Sequence, residues 1–161
     1  MLNPTMHDGA REFSPAAVAA MRRALSLAAE AAADGETPVG AAVYDGGGNI
    51  IGEGKNQMRG GCDPSAHAEI VALRAAARVC GNYRLPECGM AVTLEPCMMC
   101  AGAVFHARLK SLVYAAADPK TGALGGAYNI LPLLKPHAEI CGGLFAEESA
   151  EMLRSFFRAR R

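Results

Sequence analysis

Met90-Ala91-Val92-Thr93-Leu94-Glu95-Pro96-Cys97-Met98-Met99-Cys100 is an apolar run stopped by a proline and followed by residues suited to a helix. Met90 to Leu94, bounded in this way, predicts a buried strand. Glu95-Pro96 then opens a helix to about Ala107, since proline is tolerated only in the first turn. Leu112 to Ala116 predicts the next strand. A strand–helix–strand unit of this kind should place its strands parallel, with a right-handed crossover.

The rest of the chain can be read outward from this unit. Ser14-Pro15 predicts a helix with Ser14 as N-cap and Pro15 at its first position, running to about Ala33 and ending near Gly35. Val39 to Tyr44 predicts a strand, Asp45-Gly46-Gly47-Gly48-Asn49 a turn, and Ile50 to Asn56 the returning strand of an antiparallel hairpin. Asp63-Pro64 repeats the helix-start signal and predicts a helix from about Pro64 to Cys80, capped by Asp63. Thr121 to Lys135 reads as an irregular, glycine-rich segment with one short helix. Glu139 to Gly142 reads as a last strand, and Glu147 to Arg160 as the final helix. Helices alternating with strands predict an α/β fold, a three-layer α/β/α sandwich around a central mixed five-stranded sheet. Residues 1–14 are expected to be a loose N-terminal extension and 15–161 a single domain.

Composition narrows the class. The chain has 161 residues, 51% hydrophobic and 20% charged, which suits one packed domain. No apolar run reaches the roughly 18 residues of a membrane span, and the first residues show no signal-peptide pattern. Six cysteines without an export signal point to a reducing, cytoplasmic setting, where they serve as thiols or metal ligands before disulfides. Sixteen basic residues against sixteen acidic ones argue against a general polyanion-binding tail. A local positive patch remains open, because Arg154, Arg158, Arg160 and Arg161 gather at the end of the chain.

The chemistry lies in His67-Ala68-Glu69 read against Cys97-Met98-Met99-Cys100. One imidazole and two thiols make three soft ligands. They leave a fourth position open, which is the mark of a catalytic rather than a structural zinc site. Glu69 is then the group to move protons. A Cys-x-x-Cys pair alone would equally suit redox chemistry or half a structural zinc site, but neither accounts for His67 and Glu69. On an ideal helix His67 and Glu69 lie about 200° apart, so both can face one metal only at a helix terminus. The start of a helix also favours thiolate over thiol at Cys97.

His-x-Glu followed by Pro-Cys-x-x-Cys is the signature of zinc-dependent base deaminases. Asp63-Pro64-Ser65-Ala66-His67-Ala68-Glu69-Ile70, Asn82-Tyr83-Arg84-Leu85 and Thr93 to Ala103 resemble motifs of bacterial tRNA-specific adenosine deaminases. So do Asp118-Pro119-Lys120-Thr121-Gly122-Ala123 and Phe156-Phe157-Arg158-Ala159-Arg160-Arg161, and the resemblance runs from about Ala17 to Arg161. It implies a cytidine deaminase-like fold and a homodimer with Zn2+ in each subunit. It also implies conversion of adenosine to inosine at the wobble position of an arginine tRNA. On this resemblance His67, Cys97 and Cys100 hold the zinc, and Glu69 is the proton shuttle. Asn56, Ala68 and Asp118 bind the substrate, and Lys120, Arg158, Arg160 and Arg161 meet the RNA backbone. Phe156-Phe157 is expected to pack rather than stack on bases. Lys55, Gly61-Cys62 and the apolar loop from Tyr128 to His137 depart from the family pattern and are expected around the mouth of the site. Two other readings share the zinc motif. One is a deaminase of guanine, cytosine or their nucleosides. The other is a zinc-stabilised RNA-binding subunit without activity, against which the presence of Glu69 argues.

Overall fold

The computed structural model describes residues 12–161, so most of the expected extension at 1–14 lies outside the described residues. The elements are α1 (Pro15–Ala33), β1 (Gly40–Tyr44), β2 (Ile50–Lys55), α2 (Ala68–Cys80) and β3 (Gly89–Leu94), then α3 (Met98–Ala107), β4 (Ser111–Ala116), α4 (Leu131–Leu134), β5 (Glu139–Gly142) and α5 (Ala146–Arg158). The sheet order is β2-β1-β3-β4-β5. β1 is antiparallel to β2 and to β3, while β3, β4 and β5 are mutually parallel. The sheet is therefore mixed and five-stranded, with helices on both faces, as the sequence predicts.

Strand residues divide by alternation between two cores. Ala41, Val43, Met90, Val92 and Leu112 face one cluster with Ala68, Ala72 and Ala76 of α2. Ala42, Tyr44, Ala91, Val113 and Ala115 face the other, with Ala17, Ala20, Met21 and Ala24 of α1. Burial on both sides is why β1 and β3 read as continuous apolar runs rather than alternating ones. α1 starts as expected, with the Ser14 Oγ accepting the Ala17 N–H at 3.1 Å.

Small residues set the depth of the layers. A Cβ at Gly52 of β2 would lie 2.8 Å from the Ala76 Cβ, and one at Gly54 would lie 3.0 Å from the Val71 Cβ and nearer still to the α2 backbone. α2 thus rests directly on the β2 main chain, bringing its first residue beside the strand end that carries Asn56.

Two helix starts differ from the expected ones. α2 begins at Ala68, not Pro64, because Asp63 closes a turn instead of capping a helix: its Oδ1 accepts from the Ser65 N–H at 2.8 Å and the Ser65 hydroxyl at 2.7 Å. α3 begins at Met98, with Cys97 as its N-cap. Both shifts move a cluster residue out of the helix and onto its threshold.

Gly54→Val is expected to force α2 off β2 and cost about 2–3 kcal/mol. The thermal midpoint should fall by roughly 4–12 °C. An unchanged midpoint in a calorimetric scan would contradict the close-packing account.

Candidate active site

The C-terminal ends of β2, β3 and β4 and the start of β1 lie at one end of the sheet, as the pairings Gly40 with Lys55 and Leu94 with Ala116 require. The chain leaves β2 through Asn56 and reaches α2 at His67, and leaves β3 through Glu95-Pro96 and reaches α3 at Cys97. His67 is the N-cap of α2, with φ −68° and ψ 153°, and Cys97 is the N-cap of α3, with φ −73° and ψ 175°. His67 is extended rather than helical, so the 200° separation from Glu69 does not arise. Both side chains turn over the start of α2.

The three ligand groups meet. His67 Nδ1 lies 3.7 Å from Cys97 Sγ and 3.5 Å from Cys100 Sγ, and all three ligand atoms lie within 4.8 Å of one another. With ordinary Zn–N and Zn–S bond lengths, a tetrahedral zinc has N···S edges of about 3.6 Å. The donor set and its spacing therefore fit zinc. Among the described residues, no other group of three histidine, cysteine or acidic side chains has this spacing.

The electrostatics are those of a partly buried cluster. The Cys97 thiol is pulled down to about 4, first by its hydrogen bond with Cys100, then by the His67 imidazole and the Cys100 backbone N–H. His67 is pushed above its usual range, chiefly by its bond to Cys97. Cys100 moves strongly upward beside Cys97, and its burial adds to the shift. Glu69 is 4% exposed, and burial raises it to about 7. A carboxyl group at that value can both take up and release a proton near neutrality.

These residues open into a cleft of about 740 Å³, large enough for a nucleoside. Of the sequence-predicted residues, His67, Glu69, Cys97, Asn56, Asp118, Lys120, Arg158 and Arg161 line it. Cys100 is fully buried behind it. Asn56 is 6% exposed, and its Oδ1 accepts the Ala68 N–H at 2.9 Å, which leaves its amide N–H groups for the cleft. Ala68 is itself fully buried, does not line the cleft, and holds Asn56 through that backbone bond. The Asp118 carboxylate ties its own loop, with Oδ1 accepting the Lys120 N–H at 2.9 Å and Oδ2 accepting the Thr121 hydroxyl at 2.7 Å.

Arg160, unlike Arg158 and Arg161, does not line the cleft; its guanidinium lies 3.5 Å from the centre of the Phe156 ring and donates to the Phe156 carbonyl. Three expectations need correction. Phe157 does not pack inward like Phe156; it is half exposed and lines the cleft. The Tyr128–His137 loop is not at the mouth of the site. It lies beside α3 and β5, where Leu131, Leu134 and Pro136 line an apolar slot with Val104 and Phe105. Lys55 also faces away, paired with Asp34 at 2.8 Å.

Sequence reasoning missed Glu95, which is 2% exposed and lines the cleft on the turn between β3 and α3. Its one available signal was an acidic residue at the end of an otherwise apolar strand.

Residues 15–116 match the cytidine and deoxycytidylate deaminase zinc-binding region. The chain belongs to this deaminase family. Over 143 residues the deaminase is 50% identical to the tRNA-specific adenosine deaminase of Haemophilus influenzae, a match covering 88% of this chain and 83% of that protein. This places it with the bacterial tRNA-specific adenosine deaminases. A solved structure from work on A-to-I editing by tRNA:A34 deaminases at the wobble position superposes with a TM-score of 0.78 and 38% identity, covering 84% of this chain and 99% of that one. The guanine deaminase of Nitrosomonas europaea superposes equally well, with a TM-score of 0.77, but at 28% identity, covering 97% and 98% of the two chains. The fold is thus common to both branches, and the identity is higher to the tRNA deaminase.

Zinc supplied to this deaminase and then desalted is expected to remain bound. Cys97→Ser and Cys100→Ser should each weaken retention by more than about a hundredfold, because each removes a ligand from a set of three. Metal analysis after gel filtration checks this, and full retention in either variant would remove that cysteine from the ligand set.

Proposed function

We propose that this chain is a hydrolytic tRNA adenosine deaminase that converts adenosine to inosine at the wobble position of an arginine tRNA. The observation that carries the reading is the buried Glu69 carboxyl beside the His67–Cys97–Cys100 cluster, at the base of a nucleoside-sized cleft whose outer wall bears Lys120, Arg154, Arg158 and Arg161. A small free base needs the cluster but not the cationic wall.

His67, Cys97 and Cys100 would hold the zinc, which when bound supplies Lewis-acid activation of water. Glu69 accepts a proton from the attacking water, whose oxygen bonds to the ring carbon, and delivers that proton to the adjacent purine ring nitrogen. It then takes the second proton from the new hydroxyl and passes it to the exocyclic amine; the carbon–nitrogen bond breaks, the carbonyl of inosine forms, and ammonia leaves. Asn56 holds an edge of the nucleoside with its amide N–H groups, while its Oδ1 stays on Ala68 and orients the whole side chain. Asp118 and its loop meet the ribose, whose 2′-hydroxyl distinguishes RNA from DNA. The target base must leave the anticodon-loop stack to enter the cleft, a step of low cost in a loop. Arg158 and Arg161, with Lys120, face the phosphates, and Phe157 offers an apolar surface between them. The protein acts in the cytoplasm as a homodimer, with 15–161 as its catalytic domain. Met98 and Met99, 53% and 41% exposed at the start of α3, suit a dimer surface.

Inosine formation in an arginine-tRNA anticodon stem-loop tests the reading, with guanine, cytosine and free adenosine run in parallel. Inosine in the loop alone is expected. Ammonia from a free base, with the loop untouched, would move the protein to the small-molecule branch. Glu69→Ala should keep its zinc and lose at least about 10²–10⁴-fold in kcat; loss of zinc would instead make Glu69 part of the metal site.

Asn56→Asp separates two roles of one side chain. It keeps an acceptor for Ala68 and so should stay folded, with a thermal midpoint lowered only by the cost of burying a carboxylate. It loses the N–H donors, and kcat/KM should fall by about 10- to 100-fold. Removing Arg158 and Arg161 together should raise KM and lower the salt dependence of RNA binding, by about one unit of slope for each phosphate that is no longer neutralised. An unchanged salt slope would take these arginines off the RNA path.

A further inference from the structure

Glu95 has no part in the chemistry above, yet it is one of the most fully engaged side chains in the molecule. Oε1 of Glu95 accepts the Leu124 N–H at 2.9 Å and the Gly126 N–H at 2.8 Å, and its Oε2 accepts the Asp118 N–H at 2.9 Å. All three donors belong to the loop that follows β4, whose first residues, Ala117 to Thr121, form one wall of the cleft. A main-chain bond from the Ala123 N–H to the Pro96 carbonyl, 2.9 Å, ties the same loop to the same turn.

The loop is shaped around this carboxylate. A Cβ at Gly122 would come within 2.5 Å of the Glu95 carboxylate, and one at Gly126 would come closer still. Gly122 and Gly126 therefore leave the space that Glu95 fills. Asp118 in turn bonds to Lys120 and Thr121 of its own loop, so it moves with that loop as a unit. Glu95 also lies two residues before Cys97, on the turn that leads into α3.

We propose that Glu95 is a positioning residue for the substrate: it holds the Asp118–Gly126 loop against the turn that carries Cys97, so that this wall of the cleft is in place before the nucleoside enters. It touches no reacting atom and acts through Asp118. The proposal rests on the cleft being the nucleoside site. A loop without this anchor would have to be ordered by the substrate, which weakens binding and leaves the proton-transfer step intact.

The test compares wild type, Glu95→Gln and Gly126→Ala. The glutamine oxygen can keep the Leu124 and Gly126 bonds, but its amide nitrogen then faces the Asp118 N–H, donor against donor. Gly126→Ala disturbs the same contact from the loop side without changing the carboxylate. Each variant is scored for zinc content, amide hydrogen exchange at 118–126, and kcat and KM on the anticodon stem-loop. The expected result is wild-type zinc content, exchange in the loop faster by at least about tenfold, KM raised by roughly tenfold, and kcat within about threefold of wild type. A wild-type exchange pattern in Glu95→Gln would overturn the proposal, as would a loss of kcat at unchanged KM or a loss of zinc. Wild-type protein that leaves the stem-loop untouched would refute the functional reading instead, and the exchange rates would still decide whether Glu95 holds the loop.

Discussion

The site depends on where two helices begin. His67 and Cys97 each occupy an N-cap, the one position at a helix start whose backbone is still extended while its side chain already turns over the helix end. From there the imidazole and the thiol reach Cys100, in the first turn of α3, at separations suited to one metal ion. Had α2 begun at Pro64, His67 would sit within a helix and point away from Glu69. The Asp63–Ser65 turn and the bond from Ala68 to Asn56 prevent this. The positive ends of two helices also converge on the cluster, where they favour thiolate over thiol.

Around that centre the rim is fixed by side-chain acceptors that bind backbone N–H groups from other parts of the chain. Asn56 holds the start of α2, the buried Glu36 takes the Gly60 N–H at 2.8 Å, and Glu95 takes three N–H groups of the loop after β4. Loops that line a cleft cannot satisfy their main chain in a ladder, and a buried unpaired N–H is costly. Carboxylate and amide oxygens solve this at fixed geometry. Among the described residues no buried side-chain nitrogen or oxygen lacks a partner.

The outer wall has a different character. Arg154 and Arg158 are exposed and paired along α5 with Glu147 and Glu151, at 2.6 and 2.7 Å respectively. Exposed pairs of this kind contribute little to stability, so a phosphate can displace the carboxylates at small cost. The inner cleft is thus rigid and specific in its hydrogen bonding, whereas the wall proposed to meet RNA is adaptable.

Much of this was legible in the sequence. Apolar runs, proline and glycine punctuation and the Ser14 cap marked the five strands and the long helices to within about four residues, because those signals act locally, whereas α4 was placed only within the segment from Thr121 to Lys135. The His67, Glu69, Cys97 and Cys100 set was legible because metal chemistry demands particular residue types at short spacings. What the sequence did not determine are the effects of distant neighbours. The Asp63-Pro64 signal for a helix start was overridden by a local turn and by Asn56 reaching across from β2. Phe156 and Phe157 are adjacent in sequence, and only the packing of α5 buries one and turns the other to the cleft. Glu95 was read only as part of a helix start, and the fold brings three N–H groups from 23 to 31 residues away onto its carboxylate. The sequence by itself therefore determined the architecture and the reacting groups, through local propensity and ligand chemistry. Only the tertiary structure decided how those groups are aimed and which walls surround them, because that rests on hydrogen bonds between segments far apart in the chain.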